Sequence, residues 1–193
     1  SYAMYRFYGE LGGAKITEVK YDIADDLKFP LAKLLVAINP ETAAIFLANP
    51  NNPTGTALSR DEIVQVLQAA PNSVVLIDEA YVEFADVSVL DLINEYPNLF
   101  VSRTFSKAYG MAGIRFGCLF SDTRNIEWVK KAQSPYSVNV VAVAAALAAV
   151  QDDKYLANYV DEVRESRKFV VAEFERLGVK YFKSTGNFLL FDV

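Results

Sequence analysis

The sequence contains no histidine and a single cysteine, Cys118. Zinc sites built from histidine and cysteine are therefore excluded, as are Ser-His and Cys-His nucleophilic catalysis. No disulfide can close within the chain, which fits a reducing cytoplasm. Long apolar runs are also scarce. The longest, Val140 to Val150, is well short of the roughly 20 residues that a membrane span needs, so no membrane association is expected. It predicts instead a helix buried on all sides. Basic residues do not predominate: 19 stand against 24 acidic ones, for a net charge of −5. A nucleic-acid binder would normally show a basic face, so no nucleic-acid partner is expected.

What is present is enough for a folded α/β unit. The 193 residues are 52% hydrophobic and 22% charged, a composition that buries a core. Ala14–Val19 alternates like a strand, and Leu27–Ile38 reads as an amphipathic helix with Pro30 in its first turn. Ala43–Ala48 is a short apolar run, the pattern of a strand covered on both faces. It leads into Asn49-Pro50-Asn51-Asn52-Pro53-Thr54-Gly55, which can be neither helix nor central strand. Ser59 and Glu62 form a capping box for a helix whose stripe is Ile63, Val66, Leu67 and Ala70.

Val74–Ile77 is a second apolar strand, closing on Asp78-Glu79-Ala80-Tyr81. Ser88–Tyr96 reads as a short helix. Leu99–Val101 is a third strand, delivering Thr104-Phe105-Ser106-Lys107-Ala108-Tyr109-Gly110, and Arg115–Phe120 a fourth. Helices are predicted over Asn125–Ala132, Asn139–Val150 and Asp152–Leu177, the last ended by Gly178. Its apolar stripe is interrupted by Arg167. Val179–Phe182 and Phe188–Phe191 read as strands of a second lobe.

The alternation of strands and helices implies a three-layer α/β/α arrangement around a mostly parallel sheet. Ligands bind such sheets beyond the carboxyl ends of the strands. Three successive apolar strands end in polar clusters, Asn49–Thr54, Asp78–Tyr81 and Ser102–Lys107, which should therefore meet at one edge. Together they offer a lysine, an acid, a phenol, an amide, hydroxyls and, with Arg115, a guanidinium. This set suits pyridoxal 5'-phosphate. Lys107 can supply an amine to its aldehyde, and Asp78 can hold the proton on its pyridine nitrogen. Asn52 and Tyr81 suit its ring oxygen, and Thr104, Ser106 and Arg115 suit its phosphate. Taken singly, Asp78 could cap a helix, Tyr81 could be core, and Arg115 could form a surface ion pair. Glu79 and Glu83 read as solvated or structural, and Tyr5, Tyr8 and Tyr136 as packing.

The clusters Asn51–Gly55, Asp78–Tyr81 and Thr104–Gly113 resemble the three signatures of fold-type-I aminotransferases, the last in its class-II form. Tyr2-Ala3-Met4-Tyr5, Asp78–Phe84 and Pro135–Asn139 narrow the likeness to the histidinol-phosphate aminotransferases. The resemblance implies a transaminase acting on L-histidinol phosphate and 2-oxoglutarate, a homodimer of histidine biosynthesis. It implies that Lys107, Asp78 and Tyr81 do the catalytic work, with Asn52, Thr104, Ser106 and Arg115 holding cofactor. Tyr2 would stack on the cofactor ring and Asn187 would lie near substrate. A cis peptide at Asn52–Pro53 is left open, since cis is cheap before proline.

On this reading residues 1–151 form most of a cofactor-binding large domain, and 152–193 a bridging helix with the start of a small domain. The phosphate loop and a partner-subunit tyrosine are expected before residue 1, and a substrate-binding arginine after residue 193. A piece of a longer protein is thus expected, binding cofactor weakly or not at all by itself. An aromatic amino-acid aminotransferase, a threonine-phosphate decarboxylase and the ligand-sensing domain of a regulator are the alternatives.

Overall fold

The computed structural model describes residues 3–192. A four-stranded sheet in the order β1-β2-β3-β4 organises them. β1 (Ala44–Ala48), β2 (Val74–Asp78) and β3 (Leu99–Thr104) run parallel, and β4 (Gly117–Ser121) returns antiparallel along β3. Every second residue, Ile45, Val75, Ile77, Leu99 and Val101, points into one core. This follows from the two-residue period of a strand. Ile63, Val66 and Leu67 of α3 (Arg60–Ala69) and Leu34 of α2 (Leu31–Ala37) close that core. Each fully buried aliphatic side chain contributes about 1.5–3 kcal/mol.

α3 begins at the expected capping box: Glu62 N donates to Ser59 Oγ at 3.3 Å, and Ser59 N donates to Glu62 Oε2 at 2.7 Å. On the opposite face of the sheet, α1 (Ala3–Leu11) lays Tyr5 on Phe46, with ring centroids 5.3 Å apart. The architecture is the expected α/β one, a mostly parallel sheet with helices on both faces.

The chain then adds α4 (Thr123–Ala132), α5 (Val140–Val150) and α6 (Asp153–Leu177). Asp152 caps the start of α6 by accepting from Tyr155 N, and Gly178 ends it at φ +69. A two-stranded antiparallel sheet follows, β5 (Tyr181–Phe182) with β6 (Leu190–Phe191). A second core of Tyr81, Phe84, Ala108 and Val160 fastens α6 to the carboxyl ends of the main strands.

Several expectations change. Ala14–Val19 forms no strand: a ladder needs a partner edge, and only Val19 reaches the core. α2 starts at Leu31 rather than Leu27, because Asp26 and Leu27 take left-handed φ of 54° and 53°, which no helix continues. Pro30 is the residue before that helix. Over Ser88–Tyr96 only a 3-10 turn forms, Leu90–Asn94. β1 is only partly covered on its second face, where Phe46 lies under Tyr5 yet stays 46% exposed.

α5 departs most. Only Ala142 and Ala146 are buried in it, and Val140 and Leu147 are 80% and 58% exposed. Its composition says that it needs cover, and the described residues provide that cover along one narrow line.

Candidate active site

The three polar clusters do meet. Asp78 stands beside Ala48 on one flank and Ser102 on the other, so β1 and β2 end level while β3 runs on to Thr104. The ladder runs one step beyond them: Asn49 N donates to Asp78 O at 2.8 Å, and Glu79 N donates to Ser102 O at 2.9 Å. A cleft of about 860 Å³ opens there, lined by Asn52, Asp78, Tyr81, Ser102, Thr104, Ser106, Lys107 and Arg115 among others.

Asp78 divides its two oxygens between the sheet end and α1. Its Oδ1 accepts from Ala80 N and Ser102 Oγ, both at 3.1 Å. Its Oδ2 faces the cleft side and accepts from the Tyr5 hydroxyl. Tyr81 Oη accepts from Asn52 Nδ2 at 2.8 Å. Lys107 Nζ lies 5.2 Å from the Tyr81 ring centroid, within reach of its negative face.

Lys107 is presented by its neighbours. Phe105 is buried, stacked on Tyr109 at 4.7 Å and tilted against Phe116 at 5.1 Å. Ala108 is buried in the second core. With those two turned inward, Ser106 and Lys107 face the cleft. The turn is closed by Met111 N donating to Phe105 O and Gly110 N donating to Lys107 O, each at 2.9 Å. Thr104 Oγ1 accepts from Ser106 N at 3.1 Å. Arg115, at φ 56°, donates from Nη1 to Ala112 O at 2.8 Å.

The loop after β1 holds cis peptides at Asn49–Pro50 and Asn52–Pro53. Asn51 and Thr54 are buried within it and bonded to each other at 2.9 Å. Of the remaining site residues, Tyr2 lies outside the described residues. Asn187 is exposed and is not among the residues lining the cleft.

Three contributors were not singled out by sequence reasoning. Tyr5, which its sequence context assigns to packing, both stacks and reaches Asp78. Ser102 could have been found from strand period and register, since it shares the face of Thr104 and pairs with Asp78. Glu79 takes the structural of its two expected roles. It is fully buried on the other side of the sheet end, where it accepts from Arg103 Nη2 at 2.8 Å, Ser88 Oγ at 3.0 Å and Val89 N at 2.7 Å. That network ties the segment after Tyr81 to β3. Burial pushes the nearby Glu83 carboxyl above the usual range, with Arg103 opposing, and its Oε2 has no hydrogen-bond partner among the described residues. Burial also raises the Cys118 thiol. No group of three or more His, Cys, Asp or Glu among the described residues could hold a metal.

The aminotransferase class I and II family matches residues 1–193. The chain belongs to that family. Within it, the chain is similar to histidinol-phosphate aminotransferase 2 of Legionella pneumophila (strain Lens), at 44% identity over 167 residues. That match covers 84% of this chain and 45% of the relative. It is 38% identical over 191 residues to histidinol-phosphate aminotransferase of Dehalococcoides mccartyi (strain BAV1), covering 98% of this chain and 52% of that protein.

Among solved structures of the family, histidinol-phosphate aminotransferase from Sinorhizobium meliloti superposes with a TM-score of 0.89 at 30% identity. The superposition covers 97% of this chain and 52% of that one, which is a complex with pyridoxal-5'-phosphate. The chain spans about half the length of the curated relatives it matches.

Proposed function

We propose that this chain forms the cofactor-holding part of a pyridoxal-phosphate-dependent aminotransferase that exchanges an amino group between L-histidinol phosphate and 2-oxoglutarate. The observation that carries this reading is the meeting of Lys107, Asp78, Asn52 and Tyr81 in one cleft beyond β1–β3. The names of the relatives supply histidinol phosphate as the donor, and 2-oxoglutarate is the acceptor that the family resemblance implies.

The residues present fit the cofactor. Asp78 keeps Oδ1 on the scaffold while Oδ2 already takes a donor, the Tyr5 hydroxyl, from the cleft side. A protonated ring nitrogen would be a charge-assisted donor to the same oxygen. Bound pyridoxal phosphate supplies an aldehyde that captures amines and a ring that accepts their electrons.

The chain's own groups do the rest. Lys107 holds the cofactor through Nζ and moves a proton from that atom. Asp78 keeps the ring nitrogen protonated. The Tyr81 hydroxyl accepts from Asn52 and thereby keeps its own proton to donate to the ring oxygen. Ser106, Thr104 and Arg115 serve the phosphate, with Arg115 exchanging its bond to Ala112 O for the anion. Asn187, exposed and outside the cleft lining, is assigned to substrate on the family resemblance. The protein works as a cytoplasmic homodimer, its large domain spanning 1–151 and its small domain starting from α6. No helix among the described residues is long and apolar enough to cross a membrane.

The test mixes full-length protein with pyridoxal phosphate and follows the yellow absorbance band. It should form with wild type and vanish in Lys107→Ala. A panel of histidinol phosphate, aromatic amino acids and threonine phosphate with 2-oxoglutarate then reads the substrate. A band that survives Lys107→Ala ends the cofactor assignment. An aromatic amino acid turned over faster than histidinol phosphate ends the substrate assignment.

A further inference from the structure

The sequence marked Arg167 as a break in the apolar stripe of α6, and the structure gives that break a purpose. Arg167 is half buried, and burial, with Arg164 adding, lowers its guanidinium pKa. Removing a charge from water is costly, and a leucine at this position would avoid that cost. What the arginine gains is a bond: its Nη1 donates to Gly186 O at 2.6 Å.

Gly186 sits in a turn, residues 184–188, that grips both halves of the Asn52–Tyr81 pair. On one side, Thr185 N and Thr185 Oγ1 donate to Gly55 O at 2.9 and 3.1 Å, in the loop that carries Asn52. On the other side, Phe188 meets the Tyr81 ring edge-on, with centroids 5.0 Å apart at 77°. The Phe188 ring folds back over Gly186 so closely that a Cβ there would lie 2.7 Å from it. The turn therefore has little freedom to move Phe188 independently of Gly186.

We propose that Arg167 is a positioning residue. By holding Gly186 it seats Phe188 against Tyr81 and fixes the Tyr81 hydroxyl beside Asn52. Its catalytic meaning rests on the function proposed above, and its structural content does not.

Two measurements on Arg167→Ala and Arg167→Lys separate these. The first is amide hydrogen exchange without cofactor. Losing a charged hydrogen bond should speed exchange about tenfold in 184–188 and also in 79–82. Val74–Ile77 should be unchanged, and Arg167→Lys should fall between. Faster exchange in 184–188 alone overturns the proposal, as does a uniform rise through Val74–Ile77, which marks general destabilisation.

The second is the pH midpoint of the cofactor's absorbance in the full-length protein. A Tyr81 hydroxyl donating to the ring oxygen draws charge from it and weakens its hold on the neighbouring proton. Mis-seating Tyr81 must raise the midpoint. Arg167→Ala should shift it upward, in the direction of Tyr81→Phe, and the double variant should shift no further than Tyr81→Phe alone. An unmoved midpoint overturns the proposal. Absence of any absorbance in wild type defeats the cofactor reading, while the exchange result still decides the role of Arg167.

Discussion

Replacing Gly55 by alanine should cost far more than replacing Gly178 by alanine, although both glycines sit at similar positive φ, 74° and 69°. The left-handed conformation alone charges an alanine about 1 kcal/mol at each site. At Gly178 nothing else lies within 4 Å of the added Cβ. At Gly55 the Cβ would stand 2.3 Å from Ser184 Oγ and 2.6 Å from Ser184 Cα. A backbone atom cannot rotate away, so the 184–188 turn must lift. Overpacking of this kind costs about 1–3 kcal/mol, and loosening the Thr185 bonds to Gly55 O adds about 1 kcal/mol. The expected loss is about 3–5 kcal/mol for Gly55→Ala against about 1 kcal/mol for Gly178→Ala. Urea unfolding followed by far-ultraviolet dichroism measures both, and thermal midpoints should differ by roughly 5 °C or more. Equal losses in the two variants would refute the close approach of Ser184 to Gly55.

Glu79→Ala should cost about 2–4 kcal/mol in urea unfolding, because it leaves Arg103 and Val89 N without their buried acceptor. Arg103 is 30% exposed, which keeps the figure below that of a fully buried pair. Glu83→Gln should flatten the fall in stability with rising pH. The folded state holds the Glu83 proton more tightly than the unfolded state. Stability from this group is thus full below the ordinary carboxylate range and is lost as pH rises through the raised value. Unfolding midpoints taken from mildly acidic to neutral pH would show an unchanged slope if Glu83 were in fact solvated. Ile63→Ala, in the fully buried stripe of α3, should lose about 2–5 kcal/mol by the same assay. Val140→Ala, on the open side of α5, should change stability by less than about 0.5 kcal/mol.

The parts of the fold legible in sequence were those whose signals are local. Apolar runs closing on Asn-Pro, Asp-Glu or Thr-x-Ser-Lys marked where β1, β2 and β3 stop, and parallel order then forced those stops together. The capping box of α3 and the glycine stop of α6 are likewise written within a few residues. Other features depend on what lies opposite. Ala14–Val19 has strand periodicity but no partner edge, and the hydrophobicity of α5 cannot name its cover. The start of α2 was hidden because nothing in Asp26-Leu27 announces a left-handed backbone. In the site, Tyr5 bonds Asp78 across 73 residues of chain, and its aromatic neighbours made packing the natural reading. For Glu79 the sequence leaves solvated and structural roles both open, for a related reason. Adjacent residues of a strand end point to opposite faces, so one acid looks into the cleft and the next into a buried ion pair.

The bond from Thr185 to Gly55 joins residues 130 positions apart, and this sets an order of assembly. Contacts within the sheet span much shorter stretches, as in Ala48 beside Asp78. Short loops close first, because the entropy of closure grows with loop length. During synthesis, β1–β3 and the residues at their ends leave the ribosome long before Thr185 exists. The sheet can therefore stand complete while Tyr81 still lacks Phe188 and the Asn52 loop still lacks its tether. The tether to Gly55 then closes after the sheet, and a chain interrupted before Thr185 would lack that tightening of the site.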